Sequence, residues 1–278
     1  MIYCQTKAEL QEALKTQGTN PIIGFVPTMG ALHEGHLSLV RQAKRENEVV
    51  VASIFVNPIQ FNNSEDLEKY PRNLEHDLTL LKEVGCTIVF APAETEIYPE
   101  KPTEVYTFGT LETVMEGQFR PGHFNGVAVV VKRLFDLVKP TVAYFGEKDF
   151  QQLAIIRALV EQENLAVEIV GCPIIREKDG LAMSSRNTRL SDEDRRIAPQ
   201  IHKILRDGRD LIDVFPPKQL KSFMEDQLKK IPRTRLEYLE IVNAKTLQPI
   251  EQWNDCPRRI ACVAIWLGGV RLIDNVKI

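Results

Sequence analysis

Two histidines three residues apart, His33 and His36, form the part of the chain with the clearest capacity for chemistry. They lie in Pro27-Thr28-Met29-Gly30-Ala31-Leu32-His33-Glu34-Gly35-His36, between a predicted strand and a predicted helix. Glycines let the backbone approach a ligand closely, and a helix N-terminus offers N–H groups and a positive dipole end to a phosphate. Two imidazoles at this spacing can both face that phosphate. The segment therefore predicts a nucleotide or phosphate site rather than a turn carrying two surface histidines.

A zinc site is the alternative for the same histidines, because His33-Glu34-Gly35-His36 has some likeness to the HExxH metalloprotease motif. That motif needs histidines at positions i and i+4 of a helix. Here the spacing is i and i+3, and the glycine between them disfavours a regular helix. The spacing therefore argues against zinc.

A second polar segment, Met183-Ser184-Ser185-Arg186, carries two hydroxyls and a guanidinium. Such groups bind the oxygens of a triphosphate and can follow negative charge as it moves onto a departing pyrophosphate. In isolation the stretch would equally suit a polar loop. Its place downstream of the histidine segment favours the binding role.

The two segments resemble the HxGH and MSK-like signatures of the nucleotidyltransferase superfamily. Four further strings occur in order: Ile54–Phe61, Tyr70–Arg72, Arg120–Val127 and Phe145–Leu153. Together with Gly180–Asn187 and the histidine segment they resemble the pantoate–β-alanine ligase family over essentially the whole chain. The departures are few: Ile59 and Val129 replace residues common in the family, and His76 stands where an acidic or amide residue is common beside Asp77.

The resemblance implies an enzyme that condenses pantoate with β-alanine, using ATP and a pantoyl-adenylate intermediate and releasing AMP and pyrophosphate. It implies catalytic roles for His36, His33, Lys148 and Arg186, with His36 central. The implied ATP contacts are Met29, Gly30, Ala31, Leu32, His33, Glu34, Gly35, His36, Gly146, Glu147, Lys148, Asp149, Ile175, Met183, Ser184, Ser185 and Arg186. Gln60 and Gln152 match the residues that bind pantoate and β-alanine.

Mg²⁺ is expected with ATP, bound mostly through phosphates and water, because this ion rarely needs an all-protein cage. Asp77 is the one side chain considered as a metal ligand. Asn57, Arg120 and His123 stand in matching motifs, but no contact is assigned to them. The family also suggests a homodimer.

The elements that must position these residues follow from the apolar pattern. Strand-like runs at Ile22–Val26, Val49–Phe55, Thr87–Ala91, Val142–Phe145 and Ala166–Val170 alternate with helical periodicity. Nearly continuous apolar strands separated by helices predict a parallel sheet covered on both faces. We therefore predict an α/β fold with a Rossmann-like, doubly wound parallel sheet in residues 1–172, whose ligands bind at the carboxyl ends of its strands. The resemblance implies that this domain binds nucleotide and pantoate.

After about Cys172 the pattern changes. Ser191 and Asp194 suggest a helix start, an apolar stripe runs from Ile197 to Ile212, and Pro216-Pro217 is expected to end it. A second helix and strands at Leu236–Val242 and Arg259–Leu267 follow, and Gly268-Gly269 indicates a hairpin. We predict a smaller C-terminal α+β domain, residues 173–278, that covers the active site.

Composition excludes several classes. The net charge of −3 argues against a nucleic-acid partner, since such surfaces carry excess Lys and Arg. No apolar run approaches the roughly 20 residues that span a bilayer, and no secretory signal is apparent, so no membrane partner and a cytoplasmic location are expected. The irregularly spaced cysteines indicate neither a disulfide framework nor a metal site. The alternatives left open are another cytidylyl- or adenylyltransferase and a non-catalytic nucleotide-binding relative.

Overall fold

The structure is a computed structural model that describes residues 1–278. Its strands are β1 (Ile2–Cys4), β2 (Ile23–Thr28), β3 (Val49–Ile54), β4 (Ile88–Phe90), β5 (Val142–Gly146), β6 (Glu168–Cys172), β7 (Thr234–Asn243), β8 (Arg259–Leu267) and β9 (Val270–Lys277). Its helices are α1 (Lys7–Lys15), α2 (Glu34–Glu46), α3 (Ser64–Glu68), α4 (Leu74–Glu83), α5 (Glu94–Ile97), α6 (Met115–Phe119), α7 (His123–Val138), α8 (Phe150–Gln162), α9 (Asp192–Ile197), α10 (Pro199–Arg209) and α11 (Pro217–Lys229). Short 3₁₀ helices span Pro58–Gln60, Gly109–Glu112, Glu147–Asp149 and Ser185–Arg189.

The first six strands form a parallel sheet in the order β1-β4-β3-β2-β5-β6. The chain builds outward from β2 to β3 and β4, then crosses back to β5 and β6. The strand order therefore reverses between β2 and β5, and ligands of open α/β sheets bind at such a switch point, beyond the carboxyl ends of the strands. The histidine segment follows β2 and Gly146 ends β5, so both lie where the fold predicts a site.

Helices cover both faces of this sheet, as the continuous apolar strands require. On one face, Val40 and Ala43 of α2 and Leu81 of α4 pack with strand residues such as Val50 and Val89 in one buried cluster. On the other face, the ring of Phe25 from β2 meets that of Phe135 from α7 edge to face, with centroids 6.2 Å apart. The predicted doubly wound α/β class is confirmed.

The N-terminal strand β1 and helix α1 were not predicted. β1 is only three residues long and pairs with β4 at the sheet edge, which is too short for a strand periodicity to be visible. α1 has a capping box in which Thr6 accepts from the backbone N–H of Glu9 and the Glu9 side chain accepts from that of Thr6. This Thr6–Glu9 signature at the start of the helix is visible in the sequence and could have revealed it.

The C-terminal strands form an antiparallel sheet in the order β7-β8-β9, with β8 and β9 joined by the predicted Gly268-Gly269 turn. The apolar stripe predicted from Ile197 to Ile212 is not one continuous helix. It is broken at Pro199, which begins α10, and α10 ends at Arg209, before Ile212. Pro216-Pro217 does not end that helix but begins α11, with Pro217 at the first helical position, where its missing N–H costs nothing.

The chain divides into two compact units. The first comprises residues 1–108, 120–147 and 152–173, and the second comprises 109–119, 148–151 and 174–278. Two short segments that precede residue 173, 109–119 and 148–151, thus belong to the second unit. There, Glu116 of α6 accepts two hydrogen bonds from Arg271 of β9 and one from Tyr238 of β7. None of the helices has the length and apolarity needed to cross a bilayer.

Candidate active site

The turn after β2 has an unusual backbone. Gly30 and Ala31 both have positive φ, at 78° and 48°. The side chain of Thr28 supports the turn, because its hydroxyl donates to the carbonyl of Ser53 and accepts from the N–H of Gly30. A Cβ at Gly30 would lie 2.9 Å from Asp77 Oδ2, so the position requires glycine for its conformation and for close approach.

Asp77 of α4 also holds this turn, through hydrogen bonds to its backbone. Its side chain is 1% exposed, and its two carboxylate oxygens accept from the backbone N–H of Ala31 at 2.9 Å and of Leu32 at 2.7 Å. Burial raises the pKa of this carboxyl, although the two amide donors oppose the rise. These two bonds make Asp77 an anchor of the histidine turn, while its role as a metal ligand stays a prediction. The N–H groups of Ala31 and Leu32 belong to the segment predicted to bind phosphate, and both donate to this carboxylate.

His33 and His36 stand side by side at the start of α2, with ring centroids 4.1 Å apart. His33 is the N-cap residue, and its Nδ1 accepts from the N–H of Gly35 at 3.1 Å. His36 Nδ1 accepts from the N–H of His33 in a longer contact of 3.4 Å. An imidazole that accepts at Nδ1 carries its proton on Nε2. The backbone therefore sets both rings as Nε2–H donors, the arrangement needed to bind phosphate oxygens.

Gln60, in the 3₁₀ helix after β3, lies next to this turn. Its side-chain Nε2 contacts Met29 Sδ at 3.0 Å, while its Oε1 accepts from Asn57 Nδ2 at 3.1 Å. The Asn57 contact sets the amide orientation, so that the N–H₂ group points towards Met29. A thioether is a weak acceptor. An oxygen of a bound acid would be a better partner for Gln60.

Three residues hold this amide in place. Asn57 is 1% exposed and also donates to the carbonyl of Gly126, while its own Oδ1 accepts from the hydroxyl of Tyr98 at 2.7 Å. His123 Nδ1 lies 2.8 Å from the backbone carbonyl of Gln60. Asn57 and His123 therefore support Gln60. Tyr98 was missed, and no local signal marks it because it lies 41 residues from its partner.

At the end of β5, Gly146 and Glu147 are half-buried and lead into α8. The two adjacent glutamines at the start of α8 differ in environment. Gln152 is half-buried. Gln151 is 4% exposed and bonds to the backbone of Leu111, Val114 and Glu116 within the second unit. The side chain of Gln151 is thus engaged by backbone groups, and the assignment of Gln152 to substrate stays a prediction.

Within the second unit, Lys148 has a side chain 18% exposed, and its Nζ lies 3.9 Å from the exposed Asp149 carboxylate. Its backbone carbonyl accepts from Asn275 Nδ2 at 3.0 Å. The lysine is therefore held at its backbone while its side chain makes only a long ion-pair contact with its neighbour.

Ile175 and Met183 pair through a backbone hydrogen bond and close a small hairpin around residues 177–180. The predicted phosphate segment follows immediately. Ser184 caps the 3₁₀ helix by accepting from the N–H of Arg186, and Ser185 is buried. The first unit thus brings together Met29–His36 and Gln60, and the second brings together Lys148 and the Ile175–Arg186 segment.

The chain is similar to known proteins over nearly its whole length. A family model described as pantoate-beta-alanine ligase matches residues 2–277. Pantothenate synthetase of Bacteroides fragilis is 53% identical over 271 residues, which cover 98% of this chain and 95% of that protein. The crystal structure of pantothenate synthetase from Thermus thermophilus superposes with a TM-score of 0.94 at 46% identity, covering 100% of this chain and 99% of that one.

A third relative was solved with ligands. It is the pantoate-beta-alanine ligase from Francisella tularensis complexed with beta-gamma ATP and beta-alanine, with a TM-score of 0.84 and 36% identity over 100% of this chain and 97% of that one. Because the family model spans nearly all residues and both kinds of comparison agree over full length, the chain belongs to the pantoate-beta-alanine ligase family.

Proposed function

We propose that this chain joins pantoate to β-alanine with ATP, by way of a pantoyl-adenylate, and releases AMP and pyrophosphate. The observation that carries the proposal is the pair of imidazoles held as Nε2–H donors at the start of α2, with the Gln60 amide beside them. Family membership supports the ligase activity. The Francisella tularensis relative, complexed with beta-gamma ATP and beta-alanine, supports ATP and β-alanine as ligands.

In the first half-reaction a carboxylate oxygen of pantoate attacks the α-phosphorus of ATP. The new P–O bond forms as the bond to the β-phosphate oxygen breaks, and negative charge moves onto pyrophosphate. His33 and His36 donate to the phosphoryl oxygens, with His36 the central residue. Lys148, Ser184, Ser185 and Arg186 are assigned to the triphosphate oxygens, where fixed donors stabilise the developing charge.

The other assigned ATP contacts lie in three segments of the chain. They are Met29, Gly30, Ala31, Leu32, Glu34 and Gly35 in the first segment, Gly146, Glu147 and Asp149 after β5, and Ile175 and Met183 in the hairpin. For Ala31 and Leu32 the contact is through groups other than their N–H, since those donate to Asp77.

Gln60 and Gln152 are assigned to the acid substrate. The Gln60 amide has its oxygen held by Asn57 and its nitrogen directed at a weak sulfur acceptor, so a carboxylate or hydroxyl oxygen of pantoate would replace Met29 as its partner. Each such hydrogen bond contributes about 0.5–1.5 kcal/mol. Substitution of Gln60 should accordingly raise the KM for pantoate more than that for ATP.

In the second half-reaction the neutral amine of β-alanine attacks the acyl carbon. The C–N bond forms, the acyl–oxygen bond to AMP breaks, and the amine proton is lost to solvent or a nearby base. Water must be kept from the mixed anhydride, which would otherwise hydrolyse.

Mg²⁺ is proposed to enter with ATP. No group of three or more His, Cys, Asp or Glu side chains in the chain could hold a metal ion, and both oxygens of Asp77 accept backbone N–H groups. The protein side chains therefore do not form a cage for the ion. Phosphates and water are its proposed ligands.

A homodimer, a cytoplasmic location and the lack of a nucleic-acid partner also remain proposals. The resemblance to the family supports the first. The second is supported by the five cysteines, all present as buried free thiols, the state usual in a reducing compartment. The third is supported by the net charge of −3.

The decisive experiment follows labelled pyrophosphate. Pantoate with ATP and Mg²⁺ should support its exchange into ATP without β-alanine, since the first half-reaction is reversible before the amine arrives. Addition of β-alanine should then give pantothenate and AMP. A plain nucleotidyltransferase would make no amide, a ligase passing through an acyl phosphate would release ADP, and a nucleotide sensor would show no turnover. Each of these three outcomes would contradict the proposal.

A further inference from the structure

We propose that Asp274 and Asn275 of β9 are positioning residues for ATP activation. They tie together, within the second unit, the backbone at Lys148 and the hairpin that leads into Met183–Arg186. The inference rests on the proposed function, because it takes the chemical roles of Lys148 and of the hairpin segment from there. Neither residue lies in a segment that the sequence marked for chemistry.

Asn275 holds the lysine segment. It is 4% exposed, and its Nδ2 donates to the backbone carbonyl of Lys148 at 3.0 Å, across 127 residues of sequence. Lys148 lies in the single 3₁₀ turn between β5 and α8, a segment of three residues that has little structure of its own to fix it. The long-range bond from Asn275 therefore determines where the Lys148 backbone, and hence the root of its side chain, is placed.

Asp274 holds the hairpin through Arg176. The carboxylate is 5% exposed and accepts two charge-assisted hydrogen bonds, from Arg176 Nη1 at 2.7 Å and Nη2 at 2.9 Å. The same guanidinium donates to the carbonyl of Gly180 at 3.1 Å, at the tip of the hairpin, and to that of Asn275 at 3.2 Å. Such planar, bidentate pairs fix geometry as well as adding energy.

The two anchoring residues, Asp274 and Asn275, are coupled to each other through β9. Asp274 and Asn275 are consecutive on β9, and the Asn275 N–H donates to Asp274 Oδ1 at 2.7 Å. β9 in turn is paired with β8 along its whole length. A rigid strand therefore carries one carboxylate directed to the Arg176 hairpin and one amide directed to Lys148. Phosphate-binding groups from two distant parts of the chain take their spacing from it.

The test compares Asn275→Ala and Asp274→Asn with Asn243→Ala in pyrophosphate exchange. Asn243 ends β7 in the same unit, where its side chain caps a turn by accepting from the N–H of Lys245. Because a displacement near 1 Å of a catalytic group can cost about 10²-fold, we expect both β9 variants to lower kcat by roughly 10- to 100-fold. The KM for pantoate should stay within about twofold of its original value, and Asn243→Ala should retain its kcat.

A double-substitution cycle separates positioning from general destabilisation. If Asn275 acts through Lys148, then Asn275→Ala should lower kcat far less in a Lys148→Ala background than in the original chain. Equal effects in the two backgrounds would overturn the inference. So would a kcat within twofold of the original value in a folded Asn275→Ala variant.

Hydrogen–deuterium exchange tests the anchor without relying on activity. In Asn275→Ala, peptides covering residues 147–150 should exchange faster, and in Asp274→Asn those covering 175–187, while β7 and β8 stay protected. If the unaltered protein fails to exchange pyrophosphate with pantoate, the proposed function fails and this measurement still judges the anchor. Should Asn275→Ala not fold, Asn275→Ser, which keeps a hydroxyl donor, replaces it. Global loss of protection in both would show a purely structural role and overturn the inference.

Discussion

The two histidines depend on backbone groups for their protonation pattern. Each Nδ1 accepts from a main-chain N–H of the same turn, so each ring carries its proton on Nε2. A neutral donor of this kind stabilises charge on phosphoryl oxygens without having to transfer a proton. The local geometry of the helix start therefore supports the electrostatic role proposed for the two histidines.

Replacing His36 by alanine should lower the rate of pantoate-dependent pyrophosphate exchange by on the order of 10²-fold or more, as for loss of a preorganised donor. The far-UV circular dichroism should be unchanged. His76→Ala is the matched control, because that imidazole is exposed on α4. Equal losses of exchange in the two variants would refute the assignment of His36.

Asp77→Asn tests whether this residue anchors the turn or binds metal. The amide keeps one acceptor oxygen but directs its N–H₂ group at a backbone N–H, so the turn should shift and exchange should fall by about 10- to 100-fold. The Mg²⁺ concentration for half-maximal rate should not change. Glu75→Gln, at an exposed position on the same helix, should be neutral. A raised Mg²⁺ requirement as the main effect would instead favour a metal ligand.

Helix α7 and the 3₁₀ helix at Pro58–Gln60 are packed backbone to backbone. A Cβ added at Gly126 would lie 2.6 Å from the carbonyl oxygen of Ile59 and 2.9 Å from Gln60 Cα. Main-chain atoms cannot rotate away as a flexible side chain can. This glycine therefore sets how closely α7 approaches Gln60, the glutamine assigned to the acid substrate.

Gly126→Ala should therefore destabilise the fold by about 1–3 kcal/mol, the usual cost of overpacking. Because Gln60 is pushed from its place, the KM for pantoate should rise more than the KM for ATP. Urea denaturation and steady-state kinetics measure the two effects. Asp136→Ala, at an exposed site on the same helix, should change neither by much. Unchanged stability and KM in Gly126→Ala would contradict the observed packing.

At the scale of the whole molecule, the effect of acid on stability can be measured for the second unit alone. Both tryptophans, Trp253 and Trp266, belong to that unit, so tryptophan fluorescence reports its unfolding. Asp194 of the same unit is 2% exposed, and hydrogen bonds from Arg233 and Ser191 lower the pKa of its carboxyl. A pKa lower in the folded than in the unfolded state stabilises the protein above the unfolded value, near 3.9 for Asp. That stabilisation is lost as the pH falls through the folded value.

Asp194→Asn should therefore lower the urea midpoint, followed by tryptophan fluorescence, at pH 7. The difference from the original chain should shrink as the pH falls below about 4 and through the lowered pKa of the folded carboxyl. Asp192→Asn, exposed two residues earlier, serves as the control. A difference that grows towards acid pH would be inconsistent with the lowered pKa.

Local sequence patterns were sufficient to predict much of the fold. The bounds of β8 and the Gly268-Gly269 turn match the prediction, and the parallel sheet follows from alternating strand and helix periods. These features depend on neighbours within a few residues, where side-chain period and turn chemistry act. The histidine segment was recognisable for the same reason, since glycines, helix start and imidazoles are contiguous.

What positions the site was decided only by the tertiary structure. Asp77 reaches Leu32 across 45 residues, Asn57 reaches Gly126 across 69, and Asn275 reaches Lys148 across 127. Each is a buried polar group whose partner is a backbone N–H or carbonyl, and every residue type supplies those groups apart from the N–H that proline lacks. No residue pattern therefore announces such pairs. The sequence by itself predicted which groups carry the chemistry, and only the folded chain determined which buried side chains hold them in place.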